Sequence, residues 1–137
     1  MAVAALTIKE DLLQFIWEQQ LFQRHDLRTT DGKPLELIKH GRLQHDSGPD
    51  FADARVKVDG QLLAGTIEVH VRSSEWYAHK HEKDPAYDNV ILHVVFEHDM
   101  AVRTTRGGRI PTLELHDRIA AESLDVYQRW LQHKARV

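Results

Sequence analysis

The chain has no cysteine, two methionines, four prolines, and only 7% aromatic residues. Without cysteine there can be no disulfide scaffold, thiol nucleophile, iron–sulfur cluster or cysteine-ligated zinc. A long hydrophobic run is also missing. The longest, residues 90–96, is interrupted by His93, and a membrane helix needs about 20 apolar residues. The opening MAVAALTIKE has no basic stretch ahead of an apolar one, so no export signal is expected and a cytoplasmic location is. Nor does one sign of charge dominate. Lysine and arginine total 18 against 21 acids, a net charge of −3, so nothing global advertises a nucleic-acid or anionic-membrane partner.

Histidine is what the chain has in excess. There are ten in 137 residues, and His70, His79, His81, His93 and His98 fall within one short stretch. With 42% apolar and 28% charged residues, the composition is that of a folded protein, and the length is that of a single domain, 1–137.

Periodicity predicts a helix over 7–24. Thr7-Ile8-Lys9-Glu10 has the form of a capping box, and Leu12, Leu13, Phe15, Ile16, Trp17, Leu21 and Phe22 follow at helical spacing. A strand is expected at 35–38 and a polar loop at 40–50. Residues 52–58 alternate small or apolar with polar, and Asp59-Gly60 is a strong hairpin signal. The return strand, 62–72, places Thr66, Glu68, His70 and Arg72 on one face and Ile67, Val69 and Val71 on the other. A polar, aromatic connector follows at 73–89, with Ser73 or Ser74 able to cap a short helix. Residues 90–96 read as a central strand buried on both faces. Gly107-Gly108 marks a turn, 110–115 an edge strand, and 118–134 a last helix capped by Asp117, with Ile119, Leu124, Tyr127, Trp130 and Leu131 on its apolar side. Lys134 and Arg136 suit that helix's negative end. The order gives an α+β domain with one mixed β-sheet, a hairpin or meander, and flanking N- and C-terminal helices.

The hairpin carries the first candidate site. A two-residue turn at Asp59-Gly60 sets Val58 opposite Gln61 and carries Asp50 to the level of Glu68 and His70. In strict register Asp50 would face the Val69 side and Asp53 would share the Glu68 face. A bulge, or the bend at Pro49, is needed to turn Asp50 across. Two carboxylates plus water suit Mg²⁺ or Mn²⁺, and such an ion activates water and polarises a phosphoryl oxygen. Plain solvated strand residues are the competing reading. A second candidate is His79-x-His81, with His93 further on and Glu75 or Asp84 as the carboxylate of a two-histidine set suited to zinc or iron, as in cupin-type sites. Alternatively, His79 and His81 line the first cluster, and His93, inside an apolar strand, is a core histidine. Arg72 and Trp76 are candidate substrate contacts. Trp76 and Tyr77 could stack on a base or anchor the connector on the core. Arg103, Arg106 and Arg109 flank two glycines and form either a phosphate clamp or a solvated turn.

Pro49-Asp50, followed after a gap by Glu68-Val69-His70, resembles the active-site pattern of the PD-(D/E)XK nuclease superfamily, and the element order resembles its restriction-endonuclease-like core. The resemblance implies a metal-dependent phosphodiesterase acting on nucleic acid, with Asp50 and Glu68 holding Mg²⁺ or Mn²⁺. His70 stands where lysine is usual, and as a general base it could orient or deprotonate water. His79 and His81 would contact phosphate or protonate the leaving oxygen.

Across nearly the whole chain, the strings LFQRHDLRTTDGKPLELIKHG, SGPDFADARV, GTIEVHVRSSEWYAHKH, AYDNVILHVVFEHD and IPTLEL resemble an uncharacterised bacterial family, a domain of unknown function associated especially with Bacteroidetes. His40 stands where proline is usual and Gln44 where asparagine is. Many members are longer, which implies that this chain corresponds to an N-terminal module whose partner is a C-terminal region or another protein. The family transfers no activity. The leading expectation is the phosphodiesterase. The alternatives are a non-nuclease histidine-rich zinc or iron protein and a non-catalytic interaction module.

Overall fold

The structure is a computed structural model and describes residues 8–135. Thr7 and Arg136, which the capping box and the last helix end invoke, lie outside the described residues, as does the side chain of Leu124. The first helix, α1, spans Glu10–Gln19 and is shorter than periodicity predicts. Gln20 adopts a left-handed φ of 54°. The Leu21 N–H then reaches the Ile16 carbonyl and the Gln20 N–H the Trp17 carbonyl, the paired bonds of a Schellman stop. Leu21 and Phe22 therefore leave the helix and fold back, Phe22 stacking on Trp17 at 5.5 Å.

Six strands follow: β1 (Leu35–Lys39), β2 (Arg42–Leu43), β3 (Phe51–Val58), β4 (Gln61–Arg72), β5 (Val90–Glu97) and β6 (Thr112–Glu114). They form one sheet in the order β1-β3-β4-β5-β6, with β2 also pairing β3. The β1–β3–β4 part is antiparallel, and β5 and β6 add in parallel, so the sheet is mixed and the fold is α+β. The short β2 lies within the expected 40–50 loop. A helix, α2, spans Glu75–Ala78, and two 3₁₀ turns at His81–Lys83 and Pro85–Tyr87 complete the connector. The last helix, α3, spans Ala121–Ala135. It starts beyond the Asp117 cap that the sequence suggests. Among the described residues no helix is long and apolar enough to cross a membrane.

The two faces of the sheet have different chemistry. One face presents Phe51, Ala54, Val56, Ile67, Val69, Leu92 and Val94 to Leu13, Ile16 and Trp17 of α1. This is the main core, and Phe15 of α1 meets Tyr127 and Trp130 of α3. The other face is covered only in part. Over β5 and the end of β4 the connector lays down Trp76 and Tyr87, which cluster with Val90, Val102 and Ile110. Toward the β3–β4 turn that face is open, with Leu62 and Ala64 exposed. Gly65 lets the chain before β5 approach closely: a Cβ there would sit 2.3 Å from the Asn89 carbonyl oxygen.

Candidate metal centre

The Asp59-Gly60 turn sets the β3–β4 register as the sequence implies, from Val58↔Gln61 to Ala54↔Gly65. The ladder then shifts, and Phe51 pairs with Ile67. The extra residue is in the Ala52–Asp53 segment, where Asp53 takes a left-handed φ of 58°. This β-bulge reverses the facing of everything before it. Asp53 meets Arg42 in an exposed ion pair at 2.8 Å. Asp50 arrives beside Glu68, and its backbone N–H donates to Glu68 Oε1 at 3.1 Å.

Asp50 and Glu68 form a pair of neighbouring carboxyl groups, Glu68 buried and Asp50 half-buried. Asp50 Oδ2 accepts from the Val69 N–H at 2.9 Å, and Oδ1 accepts from Gln14 Nε2 at 3.0 Å. Burial raises the pKa of Asp50. Burial, then the charge of Asp50, pushes Glu68 up to about 10. Glu10, at the start of α1, is raised to about 7, by burial and then by the charges of Asp50 and Glu75. Among the described residues, the ion-pair partners of Glu68 are histidines, with no lysine or arginine.

Those histidines come from both sequence clusters, which the fold merges into one site. His70 stands next to Glu68 on its face of β4 and is 1% exposed. The connector folds back over β4 and delivers His79, after α2, and His81, in the first 3₁₀ turn. His81 Nε2 lies 3.0 Å and His70 Nε2 3.3 Å from Glu68 Oε2. His70 Nε2 is also 3.2 Å from His79 Nδ1. The three imidazoles can each place a ring nitrogen within 4.8 Å of the others. His79 is exposed, whereas His70 and His81 are buried. The cluster therefore has a solvent-facing mouth.

A second layer holds these rings in place. His70 Nδ1 bonds to His93 Nε2 at 2.7 Å, and His93 is completely buried on β5, where it pairs with Glu68. The His81 ring lies flat on Tyr87, centroids 3.6 Å apart. Trp76 packs edge-on against both His81 and His93 at 5.2 Å. Burial, then the neighbouring imidazoles, lowers His70 to about 2 and His93 to about 3, and burial and then His79 lower His81 to about 4. Near neutrality these rings are uncharged, the form that binds metal.

The substrate-contact candidates fare differently. Trp76 is fully buried, and its indole N–H donates to the Arg103 carbonyl at 2.9 Å. It has no face free for a base, which corrects the substrate role and leaves the connector-anchoring alternative. Tyr77 does likewise, through its hydroxyl to the Ala101 carbonyl. Arg72 is exposed, with its guanidinium 3.9 Å from Glu97 of β5. Arg103 bonds across its turn to the Gly107 carbonyl. Sequence reasoning did not place Gln14, Glu10 or Tyr87 at the site. Gln14 carried a readable signal, since it is a polar residue interrupting the apolar run Leu12–Trp17.

No curated protein and no solved structure matches the chain. One family model does, over residues 10–137, described as protein of unknown function (DUF2851). The match covers nearly the whole chain and includes every residue of the carboxylate–histidine cluster, so the protein belongs to this family of unknown function.

Proposed function

We propose that the domain is a divalent-metal-dependent hydrolase of phosphodiesters in nucleic acid. His70, His79, His81 and Glu68 would hold the ion, and Asp50 would shape the anionic wall beside it. The observation that carries this reading is the Asp50–Glu68 pair, with Glu68 buried, set beside three imidazoles whose ring nitrogens could share one ion and with no lysine or arginine among the described ion-pair partners of Glu68. Isolated buried carboxylates are costly, and a cation or a proton must compensate them. Imidazoles alongside a carboxylate favour Mn²⁺ or Zn²⁺ over Mg²⁺, which prefers an all-oxygen shell.

The open mouth at His79 favours a reactive site over a sealed structural one, because catalytic centres keep a position for water or substrate. A bound ion there would activate water and neutralise charge developing on a phosphoryl oxygen. His70 is engaged at both ring nitrogens and is strongly depressed in basicity, so it suits a ligand role better than that of the general base. His79 is the imidazole with access to a leaving oxygen. The phosphodiester substrate is supported by the resemblance of Asp50 and Glu68-Val69-His70, on a helix, antiparallel hairpin and parallel strand, to the nuclease pattern.

The test is titration of Mn²⁺ and Zn²⁺ into chelator-treated protein, followed by hydrolysis of bis(p-nitrophenyl) phosphate with the bound metal. The expected result is one ion per chain, bound at least tenfold more weakly in Glu68→Gln and His81→Ala, and turnover that both changes abolish. Binding unaffected by either substitution would refute the site, and tight binding without phosphodiester turnover would refute the activity.

A further inference from the structure

The sheet face that carries Glu68 and His70 continues, uncovered, toward the β3–β4 turn. Along β4 the residues on this face run from His70 back through Glu68 and Thr66 to Ala64. The connector covers the first two, Ala64 is exposed, and Thr66 between them is half-buried with its hydroxyl out of solvent and unpartnered among the described residues. Beside Ala64 the row crosses to Arg55 on β3 and Lys39 on β1, which are direct cross-strand partners. Lys39, Arg55, Ala64, Thr66 and Asn89 line one concave basin. Like charges directly opposite each other on neighbouring strands are destabilising. Among the described residues neither cation has an ion-pair partner within 4.0 Å, and the one acid in the basin, Asp53, is already held by Arg42. An unopposed pair of cations placed so close together is the local basic patch that a net charge of −3 conceals.

From this we propose that the basin is a phosphate-backbone subsite of the metal centre, in which Lys39 and Arg55 hold a nucleic-acid strand one or more phosphates away from the scissile bond. The inference rests on the proposed function, because the strand is the substrate of that site. Glu68 lies four residues beyond Ala64 on a regular strand, a separation of about 13 Å at about 3.3 Å per residue. This exceeds a single phosphate group, so the substrate is an oligonucleotide rather than a mononucleotide. No exposed aromatic ring lines the basin. Recognition is therefore of backbone charge, which positions a strand without reading its sequence.

The experiment measures binding of a fluorescein-labelled 16-nucleotide DNA strand by anisotropy across a KCl series, in chelator and with Mn²⁺. Wild type is compared with Lys39→Gln/Arg55→Gln and with Lys57→Gln, an exposed control on β3. The double variant is expected to bind at least tenfold more weakly at low salt. Its log K against log[KCl] slope should be shallower by about 1.4, which is about 0.7 for each lost phosphate contact to a single strand. Lys57→Gln should match wild type, and Mn²⁺ titration of the double variant should be unchanged. Wild-type affinity and slope retained in the double variant, or no strand binding by wild type, would overturn the subsite. Strand binding lost in the double variant while wild type takes up no Mn²⁺ would instead uphold the basin and overturn the metal reading.

Discussion

His93 shows what one buried side chain contributes without reaching the reaction. Its Nε2 and the His70 Nδ1 share a single proton across 2.7 Å. If His70 presents the Nε2 lone pair to an ion, its own proton sits on Nδ1 and is donated to His93. The proton of His93 is then on Nδ1, a buried atom with no hydrogen-bond partner. His93 thus fixes the tautomer and plane of His70, as outer-shell partners of metal-bound histidines do. His93→Leu removes the acceptor and leaves the His70 N–H unsatisfied. Zn²⁺ affinity, measured by competition with a chromophoric chelator, is expected to fall by about 10- to 100-fold with the far-ultraviolet circular dichroism unchanged. His93→Gln, which keeps an acceptor, should recover part of the loss. Equal affinity in all three proteins would show that His93 serves packing alone. The burial of His93 was legible in the apolar run around it. Its contact with His70 was not, because that depends on β4 and β5 lying in parallel with Glu68 beside His93, a pairing that local periodicity does not encode.

The bulge in β3 decides whether a carboxylate pair exists at all. The sequence states the register of the hairpin through Asp59-Gly60, and the five pairs nearest the turn obey it. It also states the conflict, since that register sends Asp50 to the wrong face. It does not say where the correction is made, because an aspartate can adopt either a strand or a left-handed conformation at modest cost. The correction falls at Asp53. Asp53→Gly should leave stability within about 1 kcal/mol of wild type, since glycine favours that φ and the exposed ion pair with Arg42 is worth little. Asp53→Val, β-branched at a positive φ, should cost about 1–3 kcal/mol in urea unfolding. Deleting Asp53 removes the bulge and, because it shortens the strand by the same one residue, keeps Phe51 opposite Ile67 and Asp50 beside Glu68. Mn²⁺ binding should therefore survive the deletion. Loss of Mn²⁺ affinity in a deletion variant whose hairpin still forms would mean that the left-handed backbone at Asp53, and not the register, places Asp50. The connector was similarly half-legible. Its short helix and aromatic anchors follow from residue types, although neither serine caps the helix, Ser74 making no side-chain cap bond and the Ser73 hydroxyl bonding Asp99. Its fold-back, which merges two histidine clusters into one, depends on Trp76 and Tyr87 packing over β5.

At the level of the whole molecule, the site lowers the stability of the domain that carries it, and the pH dependence of folding should report this. The α+β class and the order of elements follow from hydrophobic periodicity, turn residues and helix signals, because the bulk of the free energy lies in the apolar face against α1. The opposite face breaks the rule that interiors are apolar, and it does so with titratable groups. Their linkages run in opposite directions. Glu68 is raised from 4.5 to about 10, so the folded chain keeps a proton that the unfolded chain has lost. Stability therefore falls as pH rises through that window. His70, His81 and His93 are lowered to about 2, 4 and 3. The unfolded chain binds their protons first, and stability falls as pH drops below 6.5. Above 6.5 the histidine contributions are constant and Glu68 alone sets the slope, with the last of Glu10 titrating near 7. In chelator the melting temperature should therefore decline from pH 7 to pH 9, and Glu68→Gln should flatten the decline. A divalent cation takes the place of the proton, so the rise in melting temperature on adding Zn²⁺ should be larger at pH 8 than at pH 6.5, as ligand binding to the folded state requires. A chelated wild type whose melting temperature does not change between pH 7 and 9 would mean that Glu68 is not held protonated, and that its buried carboxyl group beside Asp50 is relieved by some group other than a proton or a metal.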